Sequence, residues 1–74
     1  MPPYKPIKFS IVKSKLEKLG FSIISQKGSH VKFAKATEEG IITTIVPKHR
    51  EVSSGTIKSI IKQAMLTSDE FDEA

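Results

Sequence analysis

The sequence predicts an α+β fold in which two helices cover one face of a three-stranded antiparallel sheet. Near each end of the 74-residue chain, apolar residues recur at the spacing of one helical face. Between these segments lie three short stretches of strand-like composition, joined by short connections that favour an antiparallel meander. The resulting order is α-β-β-β-α. Two short helices cannot cover both faces of such a sheet, so the second face is expected to be open to solvent.

The first helix is predicted from four apolar residues at spacings of three, four and three, namely Phe9, Val12, Leu16 and Leu19. Ser10 is expected to cap its start, because a serine side chain accepts hydrogen bonds from the amides of the first turn. Gly20 is expected to end it, because glycine readily adopts the left-handed conformation that follows many helices. Residues 1–8 contain three prolines and are expected to form an extended lead-in.

The three strands are assigned to residues 21–26, 29–34 and 41–46. Gly28 lies in the short turn between the first two strands, since glycine permits positive φ. A polar loop over residues 35–40 is expected before the third strand. Pro47 ends that strand, because proline cannot donate to the sheet ladder.

The two faces of the second strand differ in polarity. Val31 and Phe33 alternate with His30 and Lys32, so the two pairs point to opposite sides of the sheet. The apolar pair is expected to face the helices, which leaves the imidazole and the lysine on the open face.

The second helix is predicted from a stripe of apolar residues at helical spacing: Ile57, Ile60, Ile61 and Ala64. Ser53 and Ser54 offer caps for its start. Further along, Thr67 to Glu70 has the pattern of a capping box. We interpret the sequence as a single domain, residues 1–74, that ends in an acidic turn and tail over residues 67–74.

The charge distribution is that of a chain suited to a polyanionic partner. The net charge is +4, but four of the eight acidic residues lie within residues 69–74. The rest of the chain has 12 basic and four acidic residues, a net charge of +8. Lysine and arginine side chains that neutralise phosphates release counterions, so a body of this charge attracts nucleic acid. Charge alone does not distinguish an enzyme from a binding protein.

Several kinds of site are excluded by composition. The chain has no cysteine, which excludes disulfides, a cysteine nucleophile and the commonest ligand of structural zinc. It also lacks a glycine-rich phosphate loop and a His-x-x-x-His pair. We therefore predict no metal site and no cofactor. No apolar run approaches the roughly 20 residues that span a bilayer, and the start does not resemble a signal peptide, so a cytoplasmic location is expected.

His30 is the principal candidate for catalysis. It follows a glycine turn, and Lys32 lies two residues further along the same strand face. A neutral imidazole can take the proton of an RNA 2′-hydroxyl without a metal, while cationic groups hold the charge that develops on the phosphate. Ser29 is a candidate for an additional hydrogen bond. On spacing alone, an ordinary surface histidine remains the alternative, because one histidine does not make an active site.

A second cluster of candidates follows the third strand. Lys48, His49 and Arg50 lead from this strand toward the second helix, and their side chains suit contacts to phosphate. His49 can in principle act as the acid for a leaving oxygen. A solvated loop is the alternative interpretation, and the sequence does not show how close His49 lies to His30.

Five short motifs, in this order along the chain, resemble those of HicA-type toxins, which are also described as YcfA-like proteins. Each motif is short, but together they extend through nearly the whole sequence. They are Leu19-Gly20-Phe21, Gly28-Ser29-His30, Val46-Pro47-Lys48-His49, Gly55-Thr56-Ile57 and Ile61-Lys62-Gln63-Ala64.

The resemblance implies a fold like that of double-stranded-RNA-binding domains. It also implies the toxin component of a type II toxin–antitoxin system, a ribosome-independent mRNA interferase that cleaves RNA and blocks translation. A HicB-like antitoxin is expected to cover the active site. The family's catalytic histidine lies in the Gly-Ser-His step, which here is His30, whereas His49 matches a recurring position without a catalytic assignment.

Two other functions fit the same sequence. A non-catalytic module that binds double-stranded RNA has the same order of elements, with Lys58 and Lys62 as the basic residues of its second helix. A protein-interaction module would dock through the open face or the acidic tail. RNA turnover distinguishes the nuclease from both.

Overall fold

The computed structural model describes residues 4–74, and it confirms the α+β class and the α-β-β-β-α order. Two very short strands and a C-terminal helix are added to this plan. The elements are β1 (Ile7–Lys8), α1 (Phe9–Lys18), β2 (Ser22–Lys27), β3 (His30–Thr37), β4 (Gly40–Pro47), β5 (Glu51–Val52), α2 (Ser54–Gln63) and α3 (Ser68–Glu73). Strands β2, β3 and β4 form the antiparallel sheet with β3 at its centre, while β1 and β5 pair separately.

The core lies between the helices and one face of the sheet. Val31 and Phe33 are buried, as their alternation predicts. From the helices, the same cluster receives Val12 and Leu16 of α1 together with the apolar stripe of α2. The buried apolar residues are Val12, Leu16, Phe21, Val31, Phe33, Val46, Val52, Ile57, Ile60, Ile61, Ala64 and Phe71. Both helices therefore pack on the same side of the sheet, which leaves the other side uncovered by them.

Helix α1 begins differently from the prediction. It starts at Phe9, and its N-cap is Lys8, whose side chain makes no capping hydrogen bond. The prediction that Ser10 caps this helix is therefore wrong. The physical reason is the β1–β5 ladder, which holds the preceding residues extended up to the helix. There the amide of Phe9 donates to the carbonyl of Arg50 at 3.4 Å, so a neighbouring segment satisfies one of the amides that the helix start leaves without an intrahelical partner.

Helix α1 ends at Lys18, and the predicted glycine follows its C-cap residue Leu19 and terminates it. Gly20 has φ 98°, and its amide donates to the carbonyl of Glu17 at 3.1 Å. The amide of Phe21 donates to the carbonyl of Leu16 at 2.9 Å. These two bonds form a Schellman motif, which satisfies carbonyls at the helix end and turns the chain toward β2.

Strands β3 and β4 are longer than predicted. The polar loop expected over residues 35–40 is reduced to a two-residue turn, because the ladder continues to the pair Thr37 and Gly40. The hydroxyl of Thr37 donates to the carbonyl of Gly40 at 2.7 Å, which closes the turn. The polar residues of this part of β3 are compatible with a strand because the sheet projects beyond the core here.

The acidic C-terminal segment is a helix docked on the core. Thr67 and Glu70 form the predicted capping box, and Phe71 is fully buried. At the other end of α3, the Lys15 ammonium donates to three backbone carbonyls at 3.1–3.2 Å, those of Phe71, Asp72 and Ala74. These contacts hold α3 against α1. No helix among residues 4–74 is both long and apolar enough to cross a bilayer.

Candidate active site

We call the uncovered side of the sheet the open face. The strand register shows which residues lie on it. Directly opposed residues of an antiparallel ladder project to the same face. His30 is opposed by Lys27 on β2 and by Pro47 on β4, all on the side away from Val31 and Phe33. The strand residues of the open face are Ser22, Ser25, Lys27, His30, Lys32, Ala34, Ala36, Ile41, Thr43, Ile45 and Pro47.

A two-residue turn places His30 at the first position of β3. The turn consists of Gly28 and Ser29, and Gly28 has φ 59°, as hairpins of this length require of a glycine at their first turn position. Because only two residues separate the strands, Lys27 and His30 become directly paired across the turn. The local sequence thus fixes both the position of the imidazole and its cationic neighbour.

His30 lies in a shallow hollow of about 360 Å³ on the open face. Its imidazole is exposed, while Lys32 is half-buried and lies on the same strand two residues away. The hollow is lined by Ser25, Lys27, His30, Lys32 and Ile45. None of the open-face strand residues is acidic, so the groups that surround the imidazole favour an anion over a cation.

The loop after β4 begins beside this site. The amide of Lys48 donates to the carbonyl of Ser29, which joins the loop to the turn that precedes His30. The side chains of Ser29, Lys48, His49 and Arg50 are exposed and lie outside the lining of the hollow. Lys32 is therefore the predicted phosphate-binding residue that shares the hollow with His30, and the other four flank it at one end of the sheet.

Lys27 and Ser25 also line the hollow of His30, and neither was predicted from the sequence as a candidate residue. Lys27 was interpreted only as part of a turn, and Ser25 as a residue of the first strand. The predicted turn at residues 27–28 would have paired Gln26 with Ser29. The observed turn lies one residue later, at Gly28 and Ser29, and it is this shift that pairs Lys27 with His30. Ser25 was harder to place, because the register of β2 shifts between Ile23 and Ser25. A shift of one residue moves every following side chain to the other face.

Two other hollows of the molecule are larger but chemically less suited to RNA cleavage. One, of about 510 Å³, is mainly apolar and contains Tyr4 with Lys58 and Lys62 on its rim, without a histidine or a carboxylate. The other, of about 610 Å³, includes Glu38 and Glu39, whose charges oppose a phosphate. Of these three hollows in the described residues, the one at His30 combines an imidazole with lysine side chains, and this chemistry makes it the candidate site although it is the smallest.

Within residues 4–74, no three histidine, cysteine, aspartate or glutamate side chains gather as metal ligands do. The carboxylates of Glu38 and Glu39 lie in the β3–β4 turn, at the end of the hairpin opposite His30. The chemistry available in the His30 hollow is therefore that of an imidazole, two ammonium groups and a hydroxyl.

A protein-family model described as "HicA toxin of bacterial toxin-antitoxin" matches residues 9–66, which is most of the chain. The chain belongs to the HicA toxin family. The matched range contains the hollow, the turn that precedes His30 and the loop that follows β4. No curated protein matches this sequence at a significant level.

Membership of the HicA family settles two general points. The protein is of a kind that acts as the toxin of a bacterial toxin–antitoxin system. Such a system pairs its toxin with an antitoxin, so an antitoxin is among the partners of this HicA-family chain.

Proposed function

We propose that this HicA-family toxin is an endoribonuclease that cleaves mRNA, and thereby blocks translation, with His30 as its catalytic residue. The observation that carries the proposal is the exposed imidazole of His30 in a hollow that also contains Lys27 and Lys32. We further propose that the reaction uses no metal and takes place in the cytoplasm, where mRNA is translated.

His30 acts as the general base in this mechanism. Its neutral imidazole takes the proton of a ribose 2′-hydroxyl, and the 2′-oxygen then forms a bond to the adjacent phosphorus. The bond from phosphorus to the 5′-oxygen breaks, and that oxygen receives a proton from solvent or from a protonated side chain. The products are a 2′,3′-cyclic phosphate and a 5′-hydroxyl.

Lys27 and Lys32 stabilise the negative charge that develops on the phosphate. Lys27 is directly opposite His30 on the neighbouring strand, with Cβ atoms about 5 Å apart in such pairs. Lys32 follows His30 on the same face, about 7 Å further along the strand. An ammonium group at each of these positions reaches a phosphate bound over the imidazole, and the charge interaction strengthens as the reaction proceeds.

The residues around the hollow extend the contact to neighbouring phosphates. We assign this role to Ser29, Lys48, His49 and Arg50, which are exposed at the same end of the sheet. Cationic and hydroxyl side chains position an RNA backbone without reading its sequence. The open face presents these groups without an overlying helix, so an extended RNA strand has access to His30.

We also propose that the antitoxin is of the HicB type and blocks the open face. The position of His30 supports this proposal, because any protein that covers the hollow excludes RNA from the imidazole. An antitoxin that buried Lys27 and Lys32 would have to present acidic groups to them, because unpaired buried charges are costly.

The test is RNA cleavage by purified protein in buffer with EDTA. We expect cleavage to persist in EDTA and to be lost in His30→Ala. Lys58→Ala is the matched control, because Lys58 is exposed on α2 and borders a different hollow. Cleavage that stops in EDTA contradicts the metal-free mechanism, and cleavage that survives His30→Ala contradicts the role of His30.

The same experiment addresses the alternative of a non-catalytic module that binds double-stranded RNA. Lys58 and Lys62 are exposed on α2, so a basic helix face is present. For that function, duplex RNA binds without turnover, and Lys58→Ala weakens binding more than His30→Ala does.

A further inference from the structure

Strand β4 forms one edge of the sheet, and apart from Pro47 at its end it lacks the charges and bulges that usually protect an edge. Within residues 4–74, β3 is its only strand partner, so its outer edge is unpaired. Its eight residues, Gly40–Pro47, include no charged side chain and are mostly β-branched. Ile41 and Ile45 on its open face are 72% and 49% exposed. Proteins normally protect such edges with lysines, bulges or covering segments, because a free edge is a template for pairing.

The opposite edge of the sheet is protected. The register of β2 shifts between Ile23 and Ser25, and this irregularity disrupts a straight pairing edge. Lys27 adds a charge at the end of the same strand. The difference between the two edges points to β4 as the one available for association.

Hydrogen-bond alternation identifies the β4 residues with free backbone groups. A two-residue turn makes its flanking residues, Thr37 and Gly40, a hydrogen-bonded pair, and alternate residues of β4 then bond to β3. Pro47, which has no N–H to donate, falls among the residues that do not bond to β3. The residues whose N–H and C=O groups point to the free edge are Ile41, Thr43 and Ile45.

This edge is complementary to a second copy of itself. A two-fold axis through Thr43 places Thr43 opposite Thr43 of the other copy, and Ile41 opposite Ile45. All three are open-face residues, so the pairs share one face, as antiparallel pairing requires. They are also the residues with outward backbone groups, so each opposed pair can exchange two hydrogen bonds. No charges meet across the axis, because β4 has none.

We propose that this protein self-associates through antiparallel pairing of β4 with β4 of a second copy, on a two-fold axis at Thr43. The two sheets then form one continuous sheet, and the isologous contact closes on itself as a dimer. The two His30 hollows lie on the same face of this sheet, roughly 30 Å apart from strand spacing and rise. The proposal does not depend on the chemistry proposed for His30.

The association is expected to be weak and dependent on concentration. A single pair of short strands buries less surface than the roughly 1,200 Å² of a stable complex. The dimer therefore forms in exchange with the monomer, which keeps the edge accessible in dilute solution.

Site-directed cross-linking tests the pairing directly, because the chain has no cysteine of its own. We expect Thr43→Cys to yield a dimer with a short bismaleimide, since the two thiols face each other across the axis. Ser22→Cys is the matched control, an exposed open-face residue on the β2 edge. Equal cross-linking of the two variants would overturn the proposal.

Sedimentation provides the independent measurement. The weight-average mass of the unmodified protein is expected to rise from 8.2 kDa toward twice that value as concentration increases. Thr43→Lys places two like charges on the axis, and we expect it to remain monomeric with an unchanged circular dichroism spectrum, because Thr43 is exposed. A constant 8.2 kDa for the unmodified protein, or a Thr43→Lys variant that associates equally, would reject β4 pairing.

Discussion

At the residue scale, Met65 and Gly20 occupy equivalent backbone positions. Each follows the C-cap residue of its helix, Met65 after α2 and Gly20 after α1. The φ of Met65 is 57°, in the left-handed region that side chains with a Cβ disfavour. The Met65 amide donates to the carbonyl of Lys62, and the Leu66 amide donates to that of Ile61, at 3.1 and 3.0 Å. Helix α2 therefore also ends in a Schellman motif, but with a residue that is strained there.

Met65→Gly is expected to stabilise the protein. The substitution removes the strain of a left-handed methionine and loses little packing, because the Met65 side chain is 73% exposed. The expected increase in the free energy of unfolding is about 0.5–1 kcal/mol, after the greater flexibility of glycine in the unfolded chain is subtracted. Urea unfolding measures it, and an unchanged or lower stability would contradict this view of the helix end.

Gly20→Ala is the matched change in the opposite direction. At φ 98° an alanine is strained, and its Cβ would lie 3.2 Å from Cε of Lys35. The lysine side chain can move, so backbone strain dominates, and we expect a loss of about 1 kcal/mol or more in the same unfolding measurement. A neutral effect would show that the α1 terminus does not require a left-handed residue.

Lys27 provides the residue-scale test of the site. Since it is paired with His30 across the turn, Lys27→Ala should lower kcat/KM for RNA cleavage about tenfold or more, through lost stabilisation of the transition state. It should also reduce the dependence of RNA affinity on salt by about one phosphate contact. Cleavage kinetics at several salt concentrations measure both effects. Equal rates for Lys27→Ala and Lys58→Ala would remove Lys27 from the site.

At the scale of secondary-structure elements, α3 shows how a six-residue helix is maintained. Phe71 anchors it in the core, with the ring of Tyr4 packed edge-on at 6.2 Å between centroids. The Lys15 ammonium lies 5.3 Å from the centre of the Phe71 ring while it donates to the last carbonyls. Isolated helices of this length are unstable, so these contacts and the capping box are what hold it.

The capping box makes α3 sensitive to acid. Glu70 accepts from the Thr67 amide at 2.8 Å, and this backbone hydrogen bond, with that of the Thr67 side chain, lowers the pKa of Glu70 below its usual 4.5. Because the pKa is lower when folded, the stabilisation is complete above the unfolded-state pKa and is lost as pH falls through the folded-state value.

Glu70→Gln separates this effect from the general acid response. Glutamine can still accept from the Thr67 amide, but it does not titrate. Thermal unfolding as a function of pH should show the unmodified protein more stable than Glu70→Gln near neutrality, with the difference shrinking as pH falls below about 4.5. A difference that is constant with pH would mean that the charge of Glu70 does not contribute to the cap.

The helices and strands also show which parts of the fold can be predicted from the sequence. Both long helices and all three sheet strands were predicted, because their apolar spacing extends over enough residues to define a period. The β1–β5 pair was not predicted, since two-residue strands have no measurable alternation. The incorrect cap at Ser10 follows from the same omission, because the start of α1 depends on a contact with Arg50, distant in sequence.

At the scale of the whole molecule, the main consequence of the fold is the separation of an apolar core from a basic open face. Alternation along β3 was sufficient to place His30 and Lys32 on that face. Lys27 and Ser25 required the register of β2, and the position of the Lys48 loop required its contact with Ser29. The spacing of residues within one strand was therefore enough to predict which face they lie on. Which residues of different strands and loops lie close together is shown only by the structure.

The acidic residues of the C-terminal helix are separated from the open face in the whole molecule. They lie on α3, a helix fixed by Lys15, away from the strand residues of the open face. For the proposed RNA binding, the strand residues of the open face offer cations and no carboxylates. The open face is the surface on which the proposed nuclease activity depends.

The chemical identity of the ends of the cleaved RNA tests the central claim most directly. If the exposed imidazole of His30 removes the 2′-proton, mass spectrometry of the products will show 2′,3′-cyclic phosphate and 5′-hydroxyl ends, and a substrate with a 2′-deoxyribose at the cleavage position will remain intact. Products with 5′-phosphate and 3′-hydroxyl ends, or cleavage at the deoxyribose, would contradict the account.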